Sequence, residues 1–542
     1  MKHRWGRISA VVVLSFASGG FLLQRSIGRS FSLSEDGLFA NVMTHVERYY
    51  VDSVPGDSLY LKATNGMLEQ LKDPYSVLLT GDDYKSLTEQ TTGNYAGLGI
   101  QIDVRDGWIT VVGPLPDTPA ERAGIVTGDQ IIEVNGKSTQ GWSSDQAVNT
   151  LRGEPGSTVS IKVRRAGLDQ VVPFTLTRAA VHLRSVPAGT MFDHGIGYIA
   201  LNPVAETSAD ELREEIGAMQ KQGMKELIID LRNNPGGLLN QGVKVADLFL
   251  NPAQEIVATK GRAPGSSREF ADEAKQDWPG LPIVVMVNDF TASAAEIIAG
   301  ALQDHDRAVV IGTPTFGKGL VQTLYPLADG VALKLTTARW YTPSGRTIQR
   351  TAKDQADQLA QAELDAATLA GAVDSAASSD SAIRARPIYH TDAGRTVRGG
   401  GGIVPDIVVR PDTLNASERD LARALGQNLS GYRDVLTAYA LDLKRRGTLD
   451  SAGFAVTPAM LTEFRRRLQA KGIEVPDATF HGGASLLAQQ VGYEVARYVF
   501  GRPAEFKRRS TDDPQLQAAL GLLRKATTPA DLLSLAAVGR AR

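Results

Sequence analysis

Cysteine is absent from all 542 residues, and that gap removes several kinds of chemistry at once. There is no disulfide, no thiolate nucleophile, no cysteine-bound metal and no lipidated N-terminal cysteine, and the chain suits an oxidising or a reducing compartment equally. An excess of one charge is also lacking: 58 Lys and Arg against 60 Asp and Glu leave a net charge of −2. No polyanion partner is implied, so nucleic acid is not expected, and clusters such as Arg465-Arg466-Arg467 and Lys507-Arg508-Arg509 read as solvated helix faces. Long apolar runs are scarce. The run at 8–23 spans 16 residues, whereas a membrane crossing takes about 20. Glycine is plentiful, at 54 residues, and the 42% hydrophobic content is enough for ordinary cores. The length predicts about three or four domains.

Lys2, Arg4 and Arg7 precede the apolar run, the charge order of a secretory signal or an uncleaved signal anchor. Ala17-Ser18-Gly19 offers a small-residue cleavage site, but Phe21-Leu22-Leu23 carry the run past it. Residues 1–28 are therefore expected to be a signal anchor or signal peptide. The anchor is favoured, with the bulk of the protein extracytoplasmic, in the periplasm or cell envelope, and held at the inner membrane by residues 8–23. Over 34–93 the pattern is helical, with Leu38, Phe39, Val42, Met43, Val46, Tyr49 and Tyr50 on one face. A docking or dimerising helical cap is expected there.

The stretch 282–322 carries the chemistry. An apolar strand, 283–287, runs through a turn into a helix whose first residues are Ser293-Ala294-Ala295-Glu296. A serine at such a junction has an exposed hydroxyl, and the Ala294 N–H and the positive end of the helix dipole face any negative charge that develops beside it. A second apolar strand, 308–311, ends in GTPTFGKG and delivers Lys318 between two glycines. Ser293 and Lys318 form the candidate pair. Two plainer accounts compete. Ser293 with Glu296 fits S-x-x-E, a capping box that merely satisfies helix-terminal N–H groups. Residues 312–318 also spell G-x-x-x-x-G-K, nearly a phosphate-binding loop. Gly319 stands where that loop needs Ser or Thr, however, and LVQTLY follows as a β-like run where a helix should begin. A Ser-His-Asp triad is the rival mechanism. His305 lies twelve residues beyond the serine, about 18 Å along a continuing helix, and nothing around His182 or His194 looks catalytic.

Residues 94–178 turn to short strands with frequent glycines, and NYAGLGIQIDV, DTPAERAG and GDQIIEVNG resemble a PDZ domain along the whole stretch. The resemblance puts Gly97-Leu98-Gly99-Ile100 at the carboxylate-binding loop. There, consecutive N–H groups form a nest for a terminal carboxylate, and the following strand accepts a peptide as an extra strand. Arg152 is a candidate for coupling ligand occupancy to the neighbouring domain, and a plain surface arginine is the alternative.

From Gly195 the chain reads as α/β: strand GIGYIAL, helix 208–222, buried strand 226–230, then LRNNPGG and a helix to Leu250. Two strand-to-helix crossings side by side in a parallel sheet would bring the N–H of Gly236 or Gly237 beside that of Ala294, giving a two-donor oxyanion hole. The blocks GIGYIAL, LIIDLRNNPGG, TASAAEI, TFGKGLVQ and YTPSGRTIQ, in that order after a PDZ-like stretch, resemble the tail-specific or carboxyl-terminal processing serine peptidases over roughly 35–410. The resemblance implies a crotonase-like α/β core and a Ser-Lys dyad with Ser293 as nucleophile, Lys318 as general base and Gln322 positioning the lysine. It also implies substrates with free C-terminal tails and no metal or organic cofactor. Thr291 and Ala295 replace serines common in the family, which bears on hydrogen bonding around the nucleophile.

The whole is expected to be an α+β multidomain chain with the peptidase core at 179–411, interrupted at 350–386 by an aromatic-free, Ala-, Asp- and Gln-rich insertion. Gly399 to Gly402 read as a structural turn, with cleft lining as the alternative. Residues 412–542 are helical, and packing on the catalytic domain, homo-oligomerisation and adaptor binding all stay open for them.

Overall fold

The computed structural model describes residues 35–540 apart from 166, 329, 352–353, 356–382 and 427. The targeting segment 1–28 and most of the 350–386 insertion therefore lie outside the described residues. The chain divides into two units, Met1–Leu79 with Leu324–Leu335, and Thr80–Thr323 with Thr336–Arg542. Within the first, α1 (Glu35–Tyr49) and α2 (Gly56–Glu69) form as the periodicity requires. Met43 and Leu68 are buried, but Leu38, Phe39, Val42, Tyr49 and Tyr50 are exposed, so most of the apolar stripe is bare. No helix among the described residues is long and apolar enough to cross a membrane.

The second unit opens with the glycine-rich stretch. Strands β1 (Asn94–Gly97) and β2 (Ile100–Arg105) flank Leu98-Gly99. From β2 an antiparallel sheet continues through Trp108–Pro114, Gln130–Val134, Thr158–Arg164 and Val172–Thr177, which leaves β2 at its edge. Helix α3 (Ser144–Leu151) packs beside β2. Its start is fixed by a reciprocal cap, with Gln146 N–H donating to Ser143 Oγ (3.1 Å) and Ser143 N–H to Gln146 Oε1 (3.0 Å). Leu98, Val111, Ile131, Ile161 and Val163 form the core of this small barrel-like domain.

The centre of the unit is a six-stranded sheet in the order β3 (Thr190–Met191), β4 (Ile196–Ala200), β5 (Glu226–Asp230), β6 (Ile283–Val287), β7 (Val309–Gly312) and β8 (Ile407–Val408). All pairs are parallel except β3 with β4. In β6 every residue is buried, as in a strand covered on both faces. Alternate side chains point to opposite faces: Ile283, Val285 and Val287 join the core beneath α4 (Ser208–Lys221), α5 (Leu239–Asp247) and α6 (Ala294–Asp304). Val284 and Met286 join a second core on the other face, closed by α7 (Pro514–Leu523) and α8 (Pro529–Arg540) through Leu516, Leu520, Leu523 and Leu532. Part of the C-terminal region thus completes the sheet's far side. The helices of 416–495 build a separate core around Tyr432, Phe464 and Leu487. They lean on the small β domain, where Asp106 N–H donates to Asp434 Oδ1 (2.9 Å) and Lys444 Nζ to the Thr127 carbonyl (3.2 Å).

Candidate functional site

The C-terminal ends of β5, β6 and β7 lie side by side, and each runs into a turn that sequence reasoning had singled out. Beyond β6, Ser293 adopts φ 56°, ψ −120° immediately before α6, a conformation that few non-glycine residues take and that only dense surroundings maintain. Those surroundings are visible. Thr291 Oγ1 donates to the Leu231 carbonyl (2.8 Å), Ala292 N–H to the Asn234 carbonyl (2.9 Å) and Ser293 N–H to Glu296 Oε2 (2.8 Å). Thr291, one of the departures noted from the family pattern, keeps its hydroxyl bonded across to the β5 turn. A sharp strand-to-helix turn of this kind presents a serine hydroxyl clear of its own backbone, and Ser293 is half-buried.

Gly236 shows how close the neighbouring turn comes. At φ +88° its missing side chain leaves room that a Cβ could not share: that atom would sit 2.6 Å from the Ala292 carbonyl oxygen and 2.8 Å from both Ala294 N and Ser293 Cβ. Gly236 N–H is already given to Asn234 Oδ1 (2.8 Å). Gly237, exposed, and Ala294 give their N–H groups to no partner among the described residues.

Beyond β7, the residues delivering Lys318 are held at every main-chain N–H. Thr315 donates to the Ile403 carbonyl (3.0 Å), Phe316 to the Thr291 carbonyl (3.0 Å) and Gly319 to Gln349 Oε1 (2.7 Å). Gly317 and Lys318 donate to Glu296 Oε1 and Oε2 (2.7 and 2.9 Å). Two N–H groups that a phosphate would require therefore face a carboxylate. The chain then continues as a strand, Leu320–Ala328, so the nucleotide-binding account fails on geometry. Of the glycines 399–402, Gly402 packs on this turn: a Cβ there would meet the Thr315 carbonyl oxygen at 2.2 Å.

Glu296 is the residue whose importance the sequence hid. The S-x-x-E spacing explained it as a helix cap, and it does reach back to Ser293 N–H. Fully buried, it also accepts from Thr315 Oγ1 (2.5 Å) and from the Gly317 and Lys318 N–H groups. Burial drives its carboxyl above the ordinary carboxylate range, against the hydrogen bonds, which favour the charged form. Arg350, itself pushed down by burial and drawn up by Glu296, donates to the Thr315 carbonyl (2.8 Å).

The strand that carries Gln322 begins at Leu320, so Lys318 belongs to the turn, with its carbonyl accepting from Trp340 Nε1 (3.0 Å). Gln322 donates from Nε2 to Thr336 Oγ1 (3.3 Å). His305 closes α6 with its ring nitrogens 2.7 Å from Asp392 Oδ2 and 2.6 Å from the Glu255 carbonyl, while His182 pairs with Glu211 (2.7 Å).

In the β domain, Gly99 takes φ +74°, and a Cβ there would meet Thr118 Cβ at 2.3 Å. Gly97, Leu98 and Gly99 are buried and Ile100 opens the edge strand β2. Arg152, at the end of α3, bonds Glu89 (2.6 Å) and covers the Tyr95 ring (5.0 Å), so it faces the segment that enters this loop.

Comparison with known proteins agrees with these features. The sequence model of Peptidase family S41 matches residues 195–356, and that of the PDZ domain matches 110–165. The chain is 37% identical over 350 residues to the carboxy-terminal-processing protease of Bartonella bacilliformis, covering 62% of this chain and 80% of that protein. It is 38% identical over 301 residues to the carboxy-terminal processing protease CtpA of Bacillus subtilis, covering 56% and 64%. Among solved structures it is similar to a photosystem II D1 C-terminal processing protease, at 30% identity over 58% of this chain and 90% of that one, with a TM-score of 0.34. The chain belongs to the carboxy-terminal processing proteases of peptidase family S41, here a PDZ domain joined to an α/β peptidase core and flanked by helical regions.

Proposed function

We propose that the chain is a serine endopeptidase that holds a protein's C-terminal tail in its PDZ domain and cuts nearby with a Ser-Lys dyad. The observation that carries this is the Glu296 carboxylate, which ties the main chain of Ser293 to that of Lys318. Neutral Lys318 takes the proton from Ser293 Oγ as the oxygen attacks the peptide carbonyl. The N–H groups of Ala294 and Gly237 receive the charge that forms on the carbonyl oxygen. The lysine returns the proton to the leaving amine and then activates a water molecule that releases the acyl group. A free ammonium, with a pKa of about 10.4, is a poor base at neutral pH, so the half-buried setting of Lys318 supports its role. Gln322 steadies the lysine. Gly97 to Ile100 receive the tail carboxylate, and Arg152 relays its arrival. An extracytoplasmic site of action, with residues 8–23 as anchor, follows from the charge order at the start of the chain.

Cleavage of an unfolded test protein decides between this and a catalytically silent PDZ scaffold. Ser293→Ala and Lys318→Ala should each lower kcat by at least about a thousandfold, and addition of ATP should change nothing. Undiminished cleavage by Ser293→Ala would remove the nucleophile assignment.

A further inference from the structure

We propose that Asp513 and Gln515, at the start of α7, are positioning residues for catalysis that act through Arg232 on the 231–237 turn. The inference rests on the Ser293 reading above. Neither residue lies in the stretch 195–356 matched by the peptidase family.

Arg232 lies two residues past the β5 end and directly precedes Asn233-Asn234-Pro235-Gly236-Gly237. Its guanidinium is clamped from two sides. Nη2 donates to Asp230 Oδ2 (2.6 Å) and Nε to Asp230 Oδ1 (3.0 Å), while Tyr198 hydroxyl donates to Asp230 Oδ2 (2.8 Å). From the far side of the sheet, Nη1 meets Asp513 Oδ2 (2.8 Å) and Gln515 Oε1 (3.0 Å). Gln515, almost fully buried, also donates from Nε2 to the Val409 carbonyl (2.8 Å), and Val409 N–H donates to the carbonyl of Gly312 (2.9 Å), where β7 ends and the lysine turn starts. One side chain on α7 thus reaches the roots of both turns that flank Ser293. With Asp513 neutralised, Arg232 keeps one of its two carboxylates, and the backbone carrying Gly237 N–H loses a fixed reference. An error well under an ångström in such a donor is felt in rate rather than in binding.

Asp513 also caps α7, accepting from Gln515 and Leu516 N–H (3.0 Å each), so the test must separate capping from positioning. Asp513→Asn retains a capping oxygen but sets an uncharged NH2 group where Oδ2 met Arg232. In the full chain, with a peptide substrate, this variant should lose about tenfold in kcat, with KM within about twofold of wild type and an unchanged melting temperature. Gln515→Met should behave likewise, and it decides the matter alone if Asp513→Asn does not fold. Wild-type kcat in these variants, or a kcat loss matched by a fall in melting temperature, overturns the proposal. Ser293→Ala in the same assay separates the two readings. If it is inactive while Asp513→Asn runs at full speed, only the positioning role fails; if it cleaves normally, the nucleophile assignment fails first.

Discussion

At the scale of single residues, Glu296 and Gly236 make the sharpest demands. Glu296 offers lone pairs to four donors. Its amide isostere would turn an NH2 group toward donors and leave at least two of them bare in a dry interior. Glu296→Gln should therefore cost about 2–4 kcal/mol of stability, read from the urea midpoint, and should abolish labelling of Ser293 by a serine-reactive phosphonate. Gly236→Ala meets backbone atoms rather than a yielding side chain. Its kcat should drop about a hundredfold or more while tail binding is kept. The placement of Ser293 and Lys318 was legible in the sequence because each sits where an apolar strand gives way to a turn. Glu296 was not, because a local motif already accounted for it and its partners at 315–318 are distant in sequence. The occupation of Gly236 N–H by Asn234 was hidden for the same kind of reason: a turn's internal bonding does not show in a pair of glycines.

Among elements, the strands announced themselves. Continuous apolar runs such as IVVMV are what a doubly covered parallel strand requires, and the side-by-side placement of β5 and β6 followed from the two crossovers. The helices were legible as helices but not in what they cover, since an amphipathic face gives no address; that α7 and α8 shut the far face of the sheet emerges only from the packing of Leu516, Leu520 and Leu523. Truncation there should be felt in the peptidase core: Leu520→Ala is expected to cost about 2–5 kcal/mol in urea unfolding. In the PDZ domain, Gly99→Ala forces a Cβ into Thr118 at a left-handed φ. It should weaken binding of a fluorescent tail peptide about tenfold or more, as should amidation of that peptide's carboxylate against the wild-type protein, since a charged acceptor is worth about 1.5–3 kcal/mol. Equal anisotropy curves for free and amidated tails would argue against the carboxylate nest.

For the molecule as a whole, the buried carboxylate between the serine turn and the lysine turn restricts how such an enzyme can be kept in check. Pulling the two segments apart would take from four donors the acceptor that Glu296 supplies, a cost that falls on the main chain of both turns at once. An off state built by dismantling the centre is thus disfavoured. Restraint is then expected to fall on admission, on which polypeptide ends gain entry and how long they stay.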